Sequence, residues 1–84
     1  MTKQCKVLNN TNELKQMVNN GYSNVSNTSY HNGYCLFIAF DENDNAAVLR
    51  CKDEKESNDM IDYLMENKIP GDFIPEFDGW RHEL

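Results

Sequence analysis

Between an apolar run that closes at Phe40 and another that opens at Ala46 lies the acidic stretch DENDN, the part of the chain whose spacing comes nearest to a metal loop. Asp41, Asn43 and Asn45 alternate as the first three ligands of an EF-hand do. Such a loop then requires glycine at its sixth position and a bidentate glutamate at its twelfth, and Ala46 and Lys52 stand there instead. The expected role of DENDN is therefore to turn a hairpin, for which Asp and Asn are suited by side-chain bonds to their own backbone.

The remaining reactive residues form no catalytic pattern. Cys5, Cys35, Cys51, His31 and His82 contain no close pair of the C-x-x-C kind that zinc sites use. The three cysteines are widely spaced among strand-like residues, which predicts reduced thiols buried in a core rather than a disulfide framework. Gly21, Gly33, Gly71 and Gly79 each stand alone, so no glycine-rich phosphate loop is expected. Carboxylates on solvated turns and helix faces keep ordinary acidities and do no acid–base work at neutral pH. These patterns predict a protein that is not an enzyme and takes no metal and no cofactor.

Binding is the class of function left, and two surfaces suggest it. Asp59, Asp62 and Glu66 fall at i, i+3 and i+7 on one helical stripe, with carboxylates roughly 5–6 Å apart along the axis, near the spacing of phosphates on a nucleic-acid strand. Any amphipathic helix shows water a charged face, and Lys55 and Lys68 dilute this one. The second surface is the tail DFIPEFDGWRHEL, in which Phe73, Phe77 and Trp80 alternate with acids. Aromatic residues anchor interfaces, and Trp80 is the candidate anchor here, whereas Phe73 and Phe77 are expected to cover the sheet.

Elements that position these residues follow from periodicity. Asn10 with Glu13 makes a capping box ahead of Leu14, Met17 and Val18, and Asn20-Gly21 stops the helix, so a helix is expected over about Thr11 to Asn20. Asn32-Gly33 predicts a type I′ hairpin. Its polar first arm, Asn24 to His31, reads as an exposed edge strand. In its second arm Tyr34, Leu36, Ile38 and Phe40 point to one face and Cys35, Phe37 and Ala39 to the other, so this strand belongs mid-sheet. Ala46 to Cys51 continues the period of two. A second helix is expected from about Asp53 to Asn67, burying Met60, Ile61, Leu64 and Met65. Pro70-Gly71 then breaks the chain, and Lys3 to Leu8 is a possible further strand.

The result is a single α+β domain over residues 1–84: a three-stranded antiparallel meander packed with two helices in the order helix-strand-strand-strand-helix, a possible extra N-terminal strand, and an aromatic, acidic tail over 70–84. The helix–meander–helix order resembles that of double-stranded RNA-binding domains, which hold phosphates with lysines at the start of the last helix. Here that position reads KDEKESND, so the resemblance is one of order and RNA binding is not expected.

Size and charge narrow the partners. At 84 residues only one thin core can form, with no cleft between lobes. A formal charge of −6 and a pI near 4.7 repel nucleic acid and anionic lipid and favour a basic protein surface. No run approaches the roughly 20 apolar residues that cross a bilayer, and a cytoplasmic location is expected. These features predict a small acidic inhibitor that occludes a basic, nucleic-acid-binding surface of a larger protein. Asp59, Asp62 and Glu66 would supply charge, the hairpin acids Asp41, Glu42 and Asp44 would widen the patch, and Trp80 would anchor it. The short asparagine-rich chain is of the kind met in viral or mobile-element accessory proteins. Two alternatives remain: a homodimer formed through the second apolar face of the sheet, and a small-molecule binder with an aromatic pocket of Tyr30, Tyr34, Phe37 and Trp80.

Overall fold

A computed structural model describes residues 5–30 and 33–74. In chain order they form β1 (Cys5–Leu8), α1 (Thr11–Asn19), β2 (Asn24–Thr28), β3 (Cys35–Phe40), β4 (Ala46–Cys51), α2 (Glu54–Glu66) and β5 (Phe73–Ile74). The protein is a small α+β domain with two helices on a mixed sheet.

Local chemistry accounts for both helices. At α1, the Asn10 side chain accepts a hydrogen bond from Glu13 N at 2.9 Å, and Glu13 Oε1 accepts one from Asn9 N at 3.2 Å. One donor that the first turn leaves unpaired, Glu13 N, and the N–H of Asn9 just ahead of the cap are thereby satisfied. Asp53 caps α2 in the same way, accepting from Glu56 N at 3.1 Å. Leu14, Val18, Met60 and Leu64 are buried, one apolar stripe per helix. On α2 the stripe continues through Ser57 and not through Met65, which is 71% exposed, contrary to expectation. Met65 lies about 110° around the helix from the centre of the Ser57–Met60–Leu64 stripe, beyond the half-buried Ile61.

The meander is present: β3 pairs antiparallel with both β2 and β4. Around it the sheet differs from expectation, because β1 adds parallel to β4 and β5 adds parallel to β2, giving the order β1-β4-β3-β2-β5. Strands β1, β4, β2 and β5 thus run one way and β3 runs against them. The polar strand β2 is consequently interior and not an edge. Its serine and threonine are buried with partners: Ser26 Oγ accepts from Asp72 N at 3.1 Å, and Thr28 Oγ1 accepts from Leu36 N at 2.9 Å.

The β2–β3 register is also displaced by one residue from the one a two-residue Asn32-Gly33 turn would set. That turn would place Thr28 opposite Phe37, whereas Asn27 is opposite Phe37 and Val25 opposite Ala39. A one-residue slip moves every side chain of a strand to the other face. Here it brings Val25, the one aliphatic side chain of β2, into the cluster beneath the helices. Gly33 does take positive φ, at 88°, while His31 and Asn32 lie outside the described residues.

Both faces of β3 are buried. Cys35, Phe37 and Ala39 join Leu14, Val18, Met60 and Leu64 under the helices. Leu36 and Ile38, with Ala46 and Val48 of β4, form a separate cluster on the opposite face, flanked by the half-buried Tyr34 and Phe40. The alternation read from the sequence is the one observed. Of the three cysteines only Cys35 and Cys51 are buried; Cys5, on the outer strand β1, is exposed.

After α2 the chain lies down along β2. Val25 N donates to Pro70 O at 2.9 Å and Asn27 N donates to Asp72 O at 3.0 Å. Gly71 is pressed so closely against the Val25 carbonyl that a Cβ there would collide with it. Phe73 then enters β5 with its side chain 62% exposed, so it does not cover the sheet as expected. Phe77 lies outside the described residues.

Candidate functional site

The outer face of α2 holds three of the sequence-predicted residues together. Asp59, Asp62 and Glu66 are all exposed. At 100° per residue they fall within about 60° of one another, on the side of the helix turned away from Met60 and Leu64. Lys55 lies on the same stripe. One margin of the stripe is apolar, formed by exposed Met65 and half-buried Ile61 at i and i+4. The other margin is Tyr63, whose ring carries the Lys15 ammonium of α1 at 4.8 Å from its centroid. The surface is thus an acidic ridge with an apolar border and a fixed cation at its far side.

The hairpin acids have a different character. Asp41 Oδ1 accepts from Asn43 N and Asn45 N, both at 2.9 Å, and Asp41 Oδ2 accepts from Asn45 Nδ2 at 3.0 Å. These bonds favour the charged form, with that of the Asn45 side chain the largest, and they hold the Asp41 carboxyl below its ordinary range. Asp41 is committed to the turn. Asp44 adopts positive φ, 63°, and its N–H donates to Asp41 O at 3.2 Å, completing the five-residue connection. Glu42 and Asp44 are exposed.

Topology decides whether the two acidic groups meet. Strand β4 runs away from the hairpin and α2 runs back, ending where Pro70 meets Val25. Val25 pairs with Ala39, one residue short of the hairpin. Glu66 and the hairpin acids therefore occupy the same end of the sheet, with Asp62 and Asp59 progressively farther off. Trp80 lies outside the described residues.

The aromatic pocket is not assembled from its described members. Phe37 is fully buried under the helices, Tyr34 lies by the opposite cluster with the Arg50 guanidinium 5.4 Å from its ring centroid, and Tyr30 Oη donates to Lys52 O at 3.0 Å.

A cleft that sequence reasoning did not find lies at the other end of the molecule. Because β1 and β4 are parallel and each is followed by a helix, both helix N-termini open at the carboxyl ends of these strands. The resulting cleft, about 490 Å³, is lined by Asn10 and Thr11 of the first helix start, Arg50, Cys51 and Lys52 at the end of β4, and the α2 cap Asp53. Glu56 of α2 adds a second helix-start carboxylate to the lining. Burial pushes the Cys51 thiol above its ordinary range, with Glu56 and Asp53 adding to the effect. Finding the cleft requires the parallel pairing, which no local signal encodes.

Among the described residues no three His, Cys, Asp or Glu side chains gather as metal ligands, and no helix is long and apolar enough to cross a membrane. Comparison with protein-family profiles, with curated proteins and with solved structures finds no match to this chain, so the reading of its surfaces rests on their own chemistry.

Proposed function

We propose that the chain is a small acidic, non-enzymatic binding module that docks the outer face of α2 on a basic surface of a larger protein and blocks an anionic ligand, such as nucleic acid, from that surface. The observation that carries this reading is Met65, 71% exposed at the border of the Asp59, Asp62 and Glu66 stripe. A helix face that only solvates the protein gains nothing by showing methionine to water, whereas methionine is enriched at protein interfaces. Carboxylates beside it would steer a basic partner and set the docking register, and Met65 with Ile61 would supply apolar contact. Glu42 and Asp44 extend the negative field at the Glu66 end, while Asp41 serves the turn.

The test is capture of partners from a host lysate by the wild-type chain, followed by affinity measurement with Asp59, Asp62 and Glu66 all replaced by lysine. The reading expects a nucleic-acid-binding or similarly basic partner, loss of binding in the triple variant, and an unchanged circular dichroism spectrum. A partner held equally by the triple variant would overturn it. A dimer through the second sheet face is less favoured, since Leu36, Ile38 and Val48 are at most 1% exposed within a single chain.

A further inference from the structure

Cys35 and Cys51 are directly opposed in the antiparallel β3–β4 pair, and both enter the cluster beneath the helices. Directly opposed residues in such a pair have Cα atoms about 4.5–5.5 Å apart. A disulfide spans about 4.4–6.8 Å. Cys35 Sγ shares a hydrogen bond of 2.9 Å with Ser57 Oγ, on a serine only 3% exposed near the start of α2. Cys51 Sγ donates to the Asp53 carbonyl at 3.4 Å. A core that needed only volume here would be served by valine or alanine, as at Ala47 and Ala39. Instead, three polarisable or polar groups sit in contact, and one of them, Cys51, forms part of the wall of the cleft of about 490 Å³.

We propose that Cys51 and Cys35 are an attacking and a resolving thiol, converted to an intrachain cross-strand disulfide by a low-molecular-weight disulfide that enters this cleft. In the first step Cys51, slowed by the burial that favours its protonated form, gives its proton to solvent and its sulfur attacks one sulfur of the reagent R–S–S–R. The Cys51–S–S–R bond forms, the reagent's S–S bond breaks, and the departing thiolate takes up a proton. In the second step Cys35 loses its proton and attacks the Cys51 sulfur, forming the Cys35–Cys51 bond and expelling the second R–S⁻, which is protonated in turn. The protein is oxidised by two electrons and the reagent is reduced to two thiols. Lys52 at the cleft gives a reagent with carboxylates, such as glutathione disulfide, a place for its charge. Cross-linking also takes Cys35 Sγ away from Ser57 Oγ and leaves a buried hydroxyl short of that bond, so the oxidised protein has a looser α2 start.

The experiment uses the full chain with Cys5→Ser, which removes the exposed thiol. The folded protein is equilibrated with glutathione disulfide, free thiols are alkylated under denaturing conditions, and the digest is examined by mass spectrometry. The proposal expects a peptide linking Cys35 to Cys51, lost on reduction with dithiothreitol, and faster amide exchange over Glu54–Met60 in the oxidised form. With Cys35→Ser added, it expects a glutathione adduct that persists on Cys51. Full alkylation of both cysteines after equilibration, or a link that forms only in denaturant, would overturn it. So would a glutathione adduct stable on Cys51 while Cys35 is present.

Discussion

Asp41 and Asn45 close the β3–β4 connection on each other, since the Asp41 carboxylate takes both the backbone and the side-chain N–H of Asn45 while Asp41 N donates to Asn45 O at 3.1 Å. The acidic stretch turns a corner, and one acid does most of the turning. Because the folded protein holds the Asp41 carboxyl below its unfolded value, its stabilising effect is complete above the ordinary carboxylate range and is lost as pH falls through the depressed folded value. We expect Asp41→Ala to lower the thermal midpoint at neutral pH and to flatten its decline below about pH 4. Glu42→Ala should change neither. Equal acid profiles for wild type and Asp41→Ala would show that the turn does not depend on this carboxylate.

Gly71 should tolerate no side chain. An alanine there must push the chain off the Val25 carbonyl, straining the bonds that Val25 N makes to Pro70 O and Asn27 N makes to Asp72 O. We expect Gly71→Ala to cost about 1–3 kcal/mol in urea unfolding, comparable to overpacking a core. Faster exchange of the Val25 and Asn27 amides should accompany it, and unchanged exchange would refute the close approach.

Ile38 is 1% exposed on the face of the sheet away from the helices. Ile38→Ala should cost about 2–5 kcal/mol, a large share of the stability of so small a domain, and leave much of the protein unfolded. A mutant with a near-normal urea midpoint would mean that this cluster contributes little.

The two α2 methionines make a controlled pair. Met60→Ala removes a buried side chain and should cost about 2–5 kcal/mol. Met65→Ala should stay within about 0.5 kcal/mol in stability, as surface changes do, yet weaken binding to a basic partner. Association should also slow steeply between about 0.1 M and 1 M salt as the Debye length falls from about 10 Å to 3 Å. Salt-independent association kinetics would argue against a charged docking face.

Local signals were legible where the physics is local. The Asn10–Glu13 cap, the start of α2 near Asp53, the alternation of β3 and the buried Met60–Leu64 stripe could be read because each depends on residues a few positions apart. What escaped depends on distant partners. Ser26 and Thr28 look like edge residues until Asp72 and Leu36 supply their hydrogen-bond partners, and Val25 fixes a register that Asn32-Gly33 alone would set one residue off. Met65 sits at the margin of the apolar period, where the sequence alone does not decide between core and water, and it is left in water. The acidic stripe was visible at once, its apolar margin was not, and the cleft beside Cys51 follows only from β1 lying parallel to β4.

That same parallel pairing bears on the order in which the chain can fold. Strand β1 has no partner among the described residues except β4, some 40 positions later, and β5 must travel back past a whole helix to reach β2. Closing such long loops costs entropy before any contact repays it, so the β3–β4 hairpin, joined by five residues and tied by Asp41, is the natural first piece. The earliest strand in the chain is then among the last to be seated, and both flanks of the sheet stay unpaired until the centre is made.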